Sequence, residues 1–196
     1  MRIHLIIFLL NITILFIPGI AQPHIGGNNS GFYTGLFHPV FGYDHLLAMV
    51  CVGILSAQIG GRAVWMVPIT FVGIMIVGGI LGVLDIFIPF VEFGIMLSVF
   101  SLGLAIAVDK KLGILASYAI VAFFAVFHGH AHGVEMPLLA DPVIYVLGFL
   151  TSTSILHLTG VLIGFAANYT KIGSLLLTFS GAIISLFGLF LLVKNI

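Results

Sequence analysis

A chain of 196 residues that is 61% hydrophobic and 6% charged lacks the polar surface of a water-soluble domain, where about 25% of residues carry charge. Six basic and six acidic side chains cancel, which excludes an electrostatic nucleic-acid binder. The single cysteine, Cys51, excludes a disulfide framework and a multi-thiolate metal site. An integral membrane protein remains: all-α, polytopic, read as one helical domain after a leader.

The first segment, Met1 to Ala21, has Arg2, an apolar run from Leu5 to Ile17, and small residues Gly19 and Ala21. That order predicts a cleavable signal peptide over residues 1–21, with the mature domain over 22–196. A short uncleaved helix is the competing reading. The run is shorter than the ~20 residues that a span needs, and this favours the signal peptide. His24, near the predicted mature N-terminus, is a candidate metal contact, although Pro23 removes a backbone amide that a terminal chelate would use.

Six apolar spans follow, at 33–57, 64–84, 91–108, 113–136, 143–167 and 172–193. Arg62, Lys110, Lys111 and Lys171 fall in the first, third and fifth connections, whereas the second and fourth carry only acids. The positive-inside rule makes the odd connections cytoplasmic. Both mature termini are then expected on the outer side. The connections leave no room for a soluble module, and no ATP-binding motif is present.

Ionisable residues within spans are costly, so they are functional candidates. The first span opens His38-Pro39-Val40-Phe41-Gly42-Tyr43-Asp44-His45 and continues to Met49. On an unbroken helix His38 and His45 would stand about 10 Å apart along the axis. Pro39 and Gly42 predict a broken start that brings His38 back toward Asp44 and His45. The plainer alternative makes Asp44 a helix N-cap with histidines at the interface. Met49, one turn after His45, offers a thioether, though methionine in a span is more often packing.

The fourth span ends Phe127-His128-Gly129-His130-Ala131-His132-Gly133-Val134-Glu135-Met136-Pro137. His128, His132 and Glu135 share one helical face, and His130 points elsewhere. Two histidines four apart can serve one ion, and Glu135 adds an oxygen ligand or fixes a histidine tautomer. A histidine-rich helix end stopped by Pro137 is the plainer reading. In the assigned orientation both motifs occupy the outer half of the bilayer. His157 in the fifth span is either a deeper station on a path or a packed histidine bonded to a carbonyl. Gly160 and Gly164 after it spell a close helix contact.

The two motifs, in the first and fourth of six spans, resemble those of the HupE/UreJ family of hydrogenase and urease accessory membrane proteins. The resemblance implies a nickel permease, not an enzyme, with His38, Asp44, His45, His128, His132 and Glu135 as its metal residues. It also implies a place in the bacterial inner membrane and supply of nickel enzymes, with cobalt or another metal as the alternative cargo. Physical chemistry alone supports a divalent transition-metal site of imidazole and carboxylate without choosing the ion. The expected partners are the bilayer and the ion itself, Ni(2+), with no permanently bound cofactor, no nucleic acid and no ATP site. Facilitated diffusion or proton-coupled entry is expected. An intramembrane zinc-dependent hydrolase is the reading from a different class.

Overall fold

A computed structural model describes residues 30–108, 113–138 and 140–195. The signal-peptide region, His24 and the Lys110-Lys111 pair lie outside the described residues. Those described form seven helices: α1 (Ser30–Phe41), α2 (Tyr43–Ile59), α3 (Ala63–Val83), α4 (Val91–Val108), α5 (Ile114–Val134), α6 (Pro142–Asn168) and α7 (Lys171–Lys194).

Helices α3 to α7 are each long and apolar enough to cross a membrane, and the α1–α2 pair qualifies together as a broken span. The chain is thus a polytopic all-α membrane protein. Large apolar side chains such as Ile69, Ile80, Leu115, Leu162 and Leu186 point outward. In water that surface would aggregate, whereas against lipid tails it is at home.

The first predicted span is two helices, bent by 79° at Gly42. Its expected breaking residues divide differently: Gly42 makes the bend, while Pro39 stays inside α1 and His38 is helical. A proline only disfavours the helical region for the residue before it, and the packing of α1 on α6 overrides that preference. There the backbones touch, because a Cβ at Gly35 would overlap the Tyr145 carbonyl and one at Gly148 the Phe32 carbonyl.

Helix α2 is buried from His45 to Ala57 and forms the axis of the bundle. A helix enclosed on all sides needs no polar face, which explains why its apolar residues show no stripe. Small residues let its neighbours approach. Gly160 lies against the Val50 carbonyl and Gly164 against Ala57, so the glycine pair read as a close contact is one. Similar seams join α3 to α5 and α4 to α7. Asp141 starts α6 by accepting from the Val143 and Ile144 amides at 2.9 and 3.0 Å, with Pro142 in the first helical position.

Candidate metal centre

The bend at Gly42 folds the end of α1 over the start of α2, and α5 ends beside them. His38 comes from α1, His45 from α2, and His128 and His132 from the last two turns of α5. Their rings interlock. Ring centroids are 4.9 Å apart for His38–His132, His45–His132 and His45–His128, and 5.7 Å for His38–His45. One ligand atom from each of His38, His45 and His132 lies within 4.8 Å of the other two. The two sequence motifs therefore converge at one point.

Hydrogen bonding fixes which ring nitrogens are left for a ligand. His45 Nδ1 donates to Asp44 Oδ1 at 2.9 Å, and the same oxygen accepts from the His45 backbone amide at 2.8 Å. A neutral imidazole has one N–H and one lone pair, so the His45 lone pair sits on Nε2. That atom is buried without a hydrogen-bond partner among the described residues. His38 Nε2 donates to Glu135 Oε2 at 2.9 Å, leaving Nδ1 as its acceptor. A carboxylate that holds one imidazole nitrogen orients the ring and raises the basicity of the other.

His128 is set by a residue that the sequence did not single out. The Ser98 hydroxyl donates to the Ile95 carbonyl at 2.6 Å, so its oxygen accepts from His128 Nε2 at 3.0 Å. The lone pair of His128 is then on Nδ1, again buried and unpartnered among the described residues. A serine in an apolar helix carries no recognisable signal in one sequence. His132 stacks on Phe149 with centroids 4.9 Å apart, and neither of its nitrogens has a partner among the described residues.

The arrangement is graded from surface to interior. The Glu135 side chain is 46% exposed and that of His38 18%, whereas His132 and His128 are fully enclosed. Asp44 and Glu135 are each engaged with a histidine, and neither belongs to the closest set of ligand atoms. Met49 is fully buried in the core of α2. His130 turns away, as its place on the helix predicts, and bonds through Nε2 to the Ile86 carbonyl at 2.8 Å.

The glycines of both motifs also acquire reasons. A Cβ at Gly42 would stand 3.1 Å from Asp44 Oδ1 and 3.2 Å from His45 Nδ1, crowding the pair. On α5, a Cβ at Gly129 would overlap the Met75 carbonyl and one at Gly133 the Gly79 carbonyl, both on α3. One helix end thus presents glycines to α3 and imidazoles to α2.

Unpaired, converging lone pairs inside an apolar bundle suit a cation that accepts nitrogen ligands. Comparison with known proteins gives the same family as the two motifs. Residues 12–191 match the HupE/UreJ protein family. The chain belongs to the HupE/UreJ family. It is also 42% identical to Protein HupE of Rhizobium leguminosarum bv. viciae over 180 residues, covering 91% of this chain and 93% of that one. No solved structure matches the chain. Membership of HupE/UreJ makes this a permease-type accessory membrane protein rather than an enzyme, which sets aside the hydrolase reading.

Proposed function

We propose that the chain moves a divalent transition-metal ion, nickel in the first instance, across the bacterial inner membrane to supply a nickel enzyme such as hydrogenase or urease. The observation that carries this reading is the trio His38, His45 and His132, with ligand atoms within 4.8 Å of one another. These stand on membrane helices of a HupE/UreJ chain. Glu135 and His38 form the mouth, and their exposure supports that order. Asp44, His45, His128 and His132 form the centre, with Asp44 acting through His45. Nitrogen donors favour nickel or cobalt over magnesium and calcium, which prefer oxygen.

Transport needs binding firm enough to load the ion and loose enough to release it. The chain carries no nucleotide-binding motif, so entry is by facilitated diffusion or coupled to protons. Ion binding requires neutral imidazoles, and affinity falls as pH drops below ~6.5. The basic residues of alternate connections put both mature termini on the outer side. A cysteine in place of Lys171 should then resist an impermeant thiol reagent in intact cells, and ready labelling would reverse the orientation.

The deciding experiment is ion uptake by purified protein in liposomes, with nickel and cobalt offered separately. Uptake of either above protein-free vesicles is expected, with loss in His45→Ala protein inserted at normal levels. Binding of nickel without movement would sink the transport reading. Preference for cobalt would change the cargo alone.

A further inference from the structure

Deeper along the bundle, on α6, His157 is 2% exposed, and neither ring nitrogen has a hydrogen-bond partner among the described residues. Thr153, one turn earlier on the same face, is also buried, and its hydroxyl has no partner among them either. A packed histidine would donate to a carbonyl, as His130 does to Ile86. A neutral imidazole with its donor and its acceptor both unpaired is costly in an apolar interior. His157 calls for a ligand.

Its surroundings tie it to the cluster. The Phe71 ring touches two imidazoles, His157 at 5.2 Å between centroids and His128 at 5.6 Å. The two histidines are therefore at most about 11 Å apart, with one aromatic ring in contact with both. Along α2, the backbone beside His157 is that of Gly53, eight residues beyond His45, or about 12 Å down the helix. His157 also lines a groove of about 370 Å³ between α3 and α6, walled by Trp65, Pro68, Ile69 and Leu158. Those α3 residues belong to its first half, whereas its second half, at Gly78 and Gly82, packs beside the histidine cluster. The groove thus lies toward the opposite end of the bundle from the cluster, and its walls Trp65, Ile69 and Leu158 face outward.

We propose that His157, with the Thr153 hydroxyl, is a second station for the divalent cation, deeper in the bundle than the cluster and next to it across Phe71. This rests on the metal-transport reading and extends it. One imidazole and one hydroxyl, with no carboxylate, make a sparse ligand set, so the cation keeps water and binds weakly. A weak site after a stronger one is what release requires.

The test uses the full chain: calorimetric titration with Ni(2+) in detergent, and Ni(2+) uptake by proteoliposomes. Wild type, His157→Ala, His157→Gln and His45→Ala are compared. The wild type should show a tighter and a weaker class of site. Both His157 variants should lose the weaker class and keep the tighter one within about twofold, with uptake reduced about tenfold. The glutamine variant preserves most of the side-chain volume should alanine fail to fold. His45→Ala should lose the tighter class. A folded His157 variant with both classes and normal uptake overturns the second station and leaves the cluster standing. Loss of both classes together in a folded variant also overturns it, because His157 would then act by packing. A wild type that neither binds nor moves Ni(2+) overturns the transport reading and this one with it.

Discussion

The end of α5 carries three buried histidines within five residues, and its two sides treat them differently. On the side toward α3 and α4, His130 Nε2 donates to the Ile86 carbonyl at 2.8 Å, a backbone group of the α3–α4 connection. On the side toward α1 and α2, His132 has both nitrogens unpaired among the described residues and three aromatic neighbours in His38, His45 and Phe149. Burial is therefore not what marks a ligand here. His130 Nδ1 is also unpaired among the described residues, so His132 is set apart by convergence, with a ring nitrogen within 4.8 Å of ligand atoms of His38 and His45. His130 holds a loop to a helix, whereas His132 keeps its coordination capacity for something that is not protein.

That contrast breaks most sharply with His132→Ala. Removing a ligand from the closest trio should lower nickel affinity by more than the ~10–100-fold that loss of an outer-sphere partner costs, and uptake should vanish. Titration of the purified variant checks this, and an unchanged affinity would move the site away from the α5 face. Asp44→Asn comes next. It keeps the side-chain shape but removes the charge that supports His45, so affinity should fall by about 10–100-fold with insertion unchanged. A loss as complete as that of His132→Ala would make Asp44 a direct ligand instead.

Ser98→Ala sharpens the comparison within the cluster. It removes the acceptor that orients His128, and affinity should fall by about tenfold, the lower end for an outer-sphere partner. Cobalt substitution would report the change in coordination through its visible spectrum. The smallest effect on transport belongs to His130→Ala, with uptake within about twofold of wild type and stability in detergent lowered by about 1 kcal/mol for one lost hydrogen bond. A collapse of uptake in folded His130→Ala protein would erase the distinction between the two sides.

Much of this was legible along the chain because the bilayer is a strict solvent. A hydrocarbon core demands runs of about 20 apolar residues, so five spans could be placed within a few residues of the helices observed. The same solvent makes ionisable groups conspicuous, and His38, Asp44, His45, His128, His132 and Glu135 stood out for that reason. Helical spacing put His128 and His132 on one face and turned His130 away. These are local properties, fixed by composition and by a period of 3.6 residues.

Other features depended on what meets across helices. The 79° bend at Gly42 made two helices of the first span, and a proline expected to break the chain was absorbed into α1 by its packing on α6. Ser98 and Phe71 are ordinary in a membrane helix, and only the approach of α4 and α3 to His128 gives them a role in the site. The unpaired nitrogens of His157 follow from which carbonyls lie near it, a matter decided by helix packing. Sequence alone determined that the chain crosses the membrane and which side chains are expensive there, because those are costs each residue meets individually. Tertiary structure decided which lone pairs remain unspent, because a hydrogen bond needs a partner from elsewhere in the chain.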